Sequence, residues 1–145
     1  MFLVTGASGH IGRGVVAGLT QGGRAVRAVS RRPVSTDGSD LVEAVSVDLQ
    51  EELTDTSIFD DVTALFLNSS ATMEQTESFL SAAAEAGVQH VVVVSSVYVE
   101  DDVAATDQGD AIAAMHRSME ELVEASGIVW THLRAEEFAT NTLFQ

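Results

Sequence analysis

Gly6, Gly9 and Gly12 stand at three-residue steps directly behind a short apolar run, Phe2 to Val4. Apolar residues at helical spacing follow from Arg13 to Leu19, with Val15, Val16 and Leu19 as the expected buried stripe and Gly18 as a point of close approach. Strand, glycine turn, helix is the context in which spaced glycines become a phosphate site. A pyrophosphate there needs a tight turn, close approach of the backbone, and a helix packed hard against the strand. Each demand excludes a Cβ. The N–H groups and positive dipole end of the helix then face the phosphates. The spacing is G-x-x-G-x-x-G rather than the G-x-G-x-x-G of the dehydrogenase fingerprint. A turn that only joined strand to helix would not need three spaced glycines.

A second group bears on which dinucleotide would bind. Residues 25–30 (Ala-Val-Arg-Ala-Val-Ser) read as a second strand, followed by Arg31-Arg32-Pro33. An acid at the end of this strand, ~20 residues beyond the glycines, bonds a ribose 2′-OH in dinucleotide folds. Here Ser30 fills that slot and two arginines follow. Guanidinium groups clamp a 2′-phosphate that an acid would repel, so NADP (NADPH) is expected over NAD. The competing reading is two solvated loop arginines. All 7 basic residues are arginines, and Arg13, Arg24, Arg27, Arg31 and Arg32 precede the first acid. This suggests a local positive field around the glycine region. Asp48-Leu49 follow a third strand, Val42 to Val47, taken to lie beside the first. Asp48 either accepts a hydrogen bond from an adenine amino group or caps the turn at Gln50. His116 and Glu120, at i and i+4 of a later helix, share a face.

Composition excludes several classes. The 145 residues suit one domain, spanning 1–145, with an adequate core. A net charge of −15 disfavours nucleic acid as a partner. No apolar run approaches the ~20 residues of a membrane span, and the first apolar run ends at Val4, so neither membrane nor leader is expected. Without cysteine there is no disulfide or thiolate metal site. No metal is expected, and a cytoplasmic setting is the default.

The remaining elements alternate. A short turn is expected at Thr56 to Asp60, a fourth strand at 62–67, a helix from Thr72 to Ala86 with Met73, Thr76, Phe79, Leu80 and Ala83 inward, and a fifth strand at 88–94. An acidic loop spans 100–110. A helix at 111–126 follows, with Ile112, Met115, Met119, Leu122 and Val123 inward, and then a sixth strand at 128–133. This alternation predicts an α/β, doubly wound parallel sheet of about six strands, with ligand at the strands' carboxyl ends.

These residues together resemble the atypical short-chain dehydrogenase/reductases, more narrowly the NmrA-like group with its quinone reductases. The resemblance rests on 5–12 (Thr-Gly-Ala-Ser-Gly-His-Ile-Gly), Ser30-Arg31-Arg32, Asp48-Leu49, Val94-Ser95-Ser96, His116-x-x-x-Glu120, 126–134, Phe138 and Asn141. It implies a Rossmann fold. It places pyrophosphate on Ala7, Ser8, Gly9, His10 and Ile11, the 2′-phosphate on Arg31 and Arg32, and adenine on Asp48 and Leu49. Asn68, Ser69 and Ser70 would follow the cofactor's central ribose, and Ser95 and Ser96 would lie near the nicotinamide. His116 would orient cofactor or substrate or supply a proton; its other reading is a surface histidine paired with Glu120. The implied activity is hydride transfer from NADPH to a quinone-like or conjugated carbonyl substrate. The alternative is a non-catalytic NADP(H) sensor.

Two departures matter. Without lysine the Tyr-x-x-x-Lys pair of most short-chain reductases cannot form, and Asp102 follows Tyr98 at that spacing. Arg134-Ala135 replaces the usual Arg-Pro, and the chain stops where family members continue into a substrate-binding part. That part is expected to be absent or supplied by a second copy or a partner chain covering Phe138, Leu143 and Phe144.

Overall fold

The computed structural model describes residues 1–36 and 38–136; Phe138, Asn141, Leu143 and Phe144 lie outside them. Six short strands, rich in Val, Leu and Ala, form one parallel sheet. They are β1 (Phe2–Thr5), β2 (Val26–Ser30), β3 (Val42–Ser46), β4 (Ala64–Leu67), β5 (His90–Ser96) and β6 (Val129–Ala135), in the order β3-β2-β1-β4-β5-β6. Adjacent residues of each central strand feed opposite layers, as strand geometry requires. Leu3, Leu65, Leu67, Val91 and Val93 pack with Phe79, Leu80 and Val123 on one face. Val4, Phe66 and Val94 pack with Val16 on the other. Covering both faces is what a parallel sheet demands. The doubly wound α/β expectation is met.

Helix α1 (His10–Gln21) covers the second face, and α3 (Thr76–Glu85) and α4 (Ala111–Ala125) cover the first. Between β1 and β4 the chain changes direction across the sheet, which is where open α/β sheets bind ligands. No helix among the described residues is long and apolar enough to cross a membrane.

Several expectations need correction. Helix α1 begins at His10, so Gly12 lies in its first turn and is buried, whereas Gly18 is exposed and a Cβ on it would meet nothing. Close approach belongs to Gly12. β3 neighbours β2, not β1. The expected helix from Thr72 is broken. A single turn, α2 (Ser69–Thr72), gives way to a 3₁₀ turn at Met73–Gln75, and Met73 is exposed with φ +48°. The buried hydroxyls of Thr72 and Thr76 bond each other at 2.7 Å, and Thr76 also donates to the Met73 carbonyl. These bonds stabilise the break in place of helical continuity.

On helix α4, Val123 is buried and Met119 and Leu122 pack against the core as expected, but the first turns depart from the expected face. Ile112 and Met115 are exposed, while Ala113, Glu120 and Val123 are buried. Ala113 lets the helix approach the sheet, and Glu120 is held inward by basic partners described below. Arg27, assigned to the positive field, is a structural strut. It is 8% exposed, donates to the Ser57, Ile58 and Asp60 carbonyls, and pairs with Glu43 at 2.9 Å. Arg24 precedes β2, at the end of the sheet away from the glycine turn. Strand β6 pairs only with β5 among the described strands and exposes Val129, Trp130 and Leu133.

Candidate dinucleotide site

The glycine turn is built from the backbone outward. Gly6 has φ +61°, a conformation L side chains rarely adopt, and a Cβ there would sit 3.3 Å from Asn68 Nδ2. Its carbonyl accepts from the Gly9 N–H at 2.9 Å, while the Ala7 N–H donates to the Val29 carbonyl at 3.0 Å. A Cβ on Gly12 would lie 2.7 Å from Ala7 Cα and closer still to the Gly6 carbonyl oxygen. Gly9 is the N-cap of α1 and supplies no side-chain cap. The first-turn N–H groups of α1 therefore have no acceptor from their own cap, the situation an anion resolves.

Thr5 ties this turn to the far side of the crevice. Its buried hydroxyl donates to the Phe66 carbonyl and accepts from the Asn68 N–H at 2.8 Å. Asn68 Oδ1 caps α2, accepting from Ser70 N and Oγ. The Gln50 amide donates to the Ser70 carbonyl at 3.0 Å, linking the residues after β3 to α2.

Between these walls runs a groove of about 190 Å³ that brings together Gly6, Ser8, Gly9, Arg31, Arg32, Leu49, Asn68 and Ser70. Val29, Ser30, Val47 and Ala71 complete it. Of these four, Ser30 had a signal in the sequence, because it fills the slot of the ribose-binding acid. Its hydroxyl donates to Ser8 Oγ at 2.6 Å and accepts from the Arg32 N–H at 3.2 Å, fixing the arginine backbone to the glycine turn. Ala7, His10, Ile11, Gly12 and Ser69 support the groove without lining it. Ala7 is fully buried, and His10, Ile11 and Gly12 form the first turn of α1. Arg13 and Ser8 also line a neighbouring cavity of about 500 Å³, between α1 and the segment after Pro33.

Both arginines are exposed. Arg31 reaches only to 3.9 Å from Asp48, so its guanidinium is free to turn. Asp48 Oδ1 accepts from the Gln50 N–H at 3.0 Å, which realises the turn-capping reading.

Ser95 and His116 are not brought to the groove. Ser95 is 3% exposed and donates to Glu120 Oε1 at 2.6 Å on the α4 side of the sheet. Glu120 is fully buried and also receives Arg134 through Nε and Nη2, both at 2.9 Å, and Arg117 at 3.2 Å. Burial pushes its pKa up, but hydrogen bonds from Arg134 and Ser95 outweigh this and lower it to about 2. Glu120, Glu124 and His132 offer ligand atoms within 4.8 Å of one another. Arg117 and Arg134 already occupy those carboxylates, so guanidinium charge fills the place a cation would take. His116 is half-buried on α4, and its Nδ1 has no partner. Burial lowers its pKa against the opposing pull of Glu120 and the Val94 backbone.

Residues 6–142 match the family described as NAD(P)H-binding. The chain belongs to that NAD(P)H-binding family. It is 36% identical over 148 residues to a (4-alkanoyl-5-oxo-2,5-dihydrofuran-3-yl)methyl phosphate reductase of Streptomyces griseus, a match covering 99% of this chain and 50% of the relative. Among solved structures, an NADPH-dependent quinone oxidoreductase of Escherichia coli complexed with NADPH superposes with TM-score 0.75 at 25% identity, over 99% of this chain and 52% of that one. A short-chain dehydrogenase/reductase superfamily protein of Agrobacterium tumefaciens with bound NAD gives TM-score 0.67 at 29% identity, over 92% and 48%. The chain thus spans about half the length of these relatives. The likeness to quinone-reductase-like short-chain reductases is met, and the ligand class of the family is a nicotinamide dinucleotide.

Proposed function

We propose that the chain is the cofactor-binding part of an NADPH-dependent reductase acting on a quinone-like or conjugated carbonyl acceptor. The observation that carries the reading is the groove in which an uncapped helix start, Ser30 and the two arginines converge. The residues present fit a dinucleotide. Gly6 and Gly12 leave backbone where a Cβ would intrude, and the first turn of α1 faces the pyrophosphate. Arg31 and Arg32 take the 2′-phosphate, with Ser30 and Ser8 fixing the backbone between them. Leu49 supplies an apolar wall for adenine, while Asp48 caps the turn with Oδ1 and turns Oδ2 toward Arg31.

When bound, the cofactor supplies a hydride. The chain's contribution is position and electrostatics. Burial lowers the His116 pKa against the pull of Glu120 and the Val94 backbone, which favours its neutral form. An orienting hydrogen bond suits it better than delivery of a proton. The sole tyrosine, Tyr98, is 57% exposed in a chain without lysine. That observation favours a second reading, a non-catalytic NADP(H) sensor. NADPH oxidation measured with a panel of quinones and conjugated carbonyls separates the two. The reductase reading expects turnover above the NADPH-only background; intact cofactor binding without turnover would replace it with the sensor.

A further inference from the structure

Glu120 is the one acid among the described residues that is buried, and it sits at the meeting point of three segments far apart in sequence. Ser95 is at the carboxyl end of β5, Arg117 is on α4 itself, and Arg134 is at the carboxyl end of β6. Arg134 uses its remaining nitrogen on Asp101 at 2.8 Å, in the loop that follows β5. The same loop is clipped to itself by Gln108, whose amide holds the Glu100 N–H, the Glu100 carbonyl and the Val103 carbonyl. It is tied again to α4 through the Ala105 N–H and Glu121. Its first residue, Val97, donates to the Ala135 carbonyl beside Arg134. The loop is thus held by the buried Val99 side chain and by polar contacts, of which Arg134–Asp101 leads to Glu120 and Ala105–Glu121 to its neighbour.

This loop lies at the carboxyl end of β5, next to β4, whose end carries Asn68. In a doubly wound sheet a dinucleotide crosses the switch point, so a cofactor anchored at Gly6–Gly12 and Arg31–Arg32 extends its second half over the ends of β4 and β5. The Ser95 hydroxyl donates its proton to Glu120 on the α4 side of the sheet, so it is not available as a donor to the cofactor.

Resting on the dinucleotide reading above, we propose that Glu120 is a positioning residue for the nicotinamide half of the cofactor. Through Ser95, Arg134 and Asp101 it fixes the wall formed by residues 95–101, without touching the ligand. A carboxylate suits this place because two guanidinium groups converge on it as acceptor; a neutral amide would offer one acceptor oxygen in place of two and oppose their N–H groups with its own, although Glu124 and Asp101 would still pair with Arg117 and Arg134.

The test is Glu120→Gln in the full chain, read in two independent ways. Hydrogen exchange on the ligand-free protein reports the brace itself. Amides of 98–104 are expected to exchange at least about tenfold faster, with β1 and the glycine turn unchanged. Titration with NADPH and with adenosine 2′,5′-bisphosphate reports its role. NADPH is expected to bind about tenfold more weakly, as for loss of a charge-assisted contact, and the bisphosphate with unchanged affinity. Should Glu120→Gln fail to fold, Ser95→Ala removes one contact only and is expected to move both readouts the same way by about threefold. Unchanged loop exchange overturns the proposal, as does an equal loss for NADPH and the bisphosphate. Failure of wild-type protein to bind either ligand while the loop still loosens would instead overturn the dinucleotide reading.

Discussion

Replacing Gly12 by alanine sets the geometry of the glycine turn against a strong opposing preference. Alanine is the better helix former, worth about 1 kcal/mol over glycine in a helix interior. At Gly12 the new methyl would meet Ala7 Cα at 2.7 Å and the Gly6 carbonyl more closely still. Carbon–carbon contact is comfortable at ~3.5–4.0 Å, so α1 and the turn must separate by about 1 Å. Both obstructing groups are backbone and cannot rotate away. Overpacking of this kind costs ~1–3 kcal/mol, and rigid neighbours put it near the top, about 3 kcal/mol. At ~2–4 °C per kcal/mol for a chain of this size, the melting temperature should fall by about 6–12 °C. Gly14 is the internal control. It lies on the same helix, and a Cβ there would meet nothing within 4 Å. Gly14→Ala should stabilise by ~0.5–1 kcal/mol, raising the melting temperature by about 1–4 °C. Thermal melts followed by circular dichroism at one pH decide it. Melting temperatures for the two variants within about 2 °C of each other would refute the close-approach argument.

Arg27→Ala should destabilise by about 2–4 kcal/mol in denaturant unfolding, since it strands three carbonyls and Glu43, while leaving the preference between NADPH and NADH unchanged. Thr5→Val removes the acceptor of the Asn68 N–H and should cost about 1–3 kcal/mol, weakening cofactor binding along with stability. Glu120 gives an acid limb. Its pKa is about 2 in the fold against 4.5 ordinarily, so its contribution is complete above 4.5 and lost as pH falls toward 2. The loss is on the order of 3 kcal/mol. Unfolding free energies of Glu120→Gln measured from pH 6 to pH 2.5 should show a flatter acid limb than wild type.

The glycine turn was legible because backbone geometry there admits one residue type, so the sequence records the requirement directly. Ser30, Arg31 and Arg32 line the groove, as their place at the end of β2 implied. The parallel, doubly wound sheet followed from the alternation of strands and helices, but not the neighbour of β3, which is β2. What escaped was set by partners distant along the chain. Nothing around position 120 marks it as buried, because Ser95, Arg117 and Arg134 supply the compensation. Apolar content instead pointed to Ile112 and Met115. Arg27 looked like one more cation near a phosphate site until the Ser57, Ile58 and Asp60 carbonyls closed around it. The break at Met73 was hidden because Thr72 and Thr76 exchange hydroxyl bonds that no helical periodicity announces. Ser95 was read from its place at a strand end, but strand alternation turns it to α4.

Central to the proposed function is a dinucleotide held in the groove through its pyrophosphate and 2′-phosphate. Calorimetric titration of wild type and the Arg31→Ala, Arg32→Ala double variant with NADPH and NADH tests this most directly. Wild type should prefer NADPH, and the double variant should lose about 2–4 kcal/mol for NADPH, two charge-assisted contacts partly compensated, with NADH nearly unchanged. Equal losses for the two cofactors, or no preference in wild type, would contradict it.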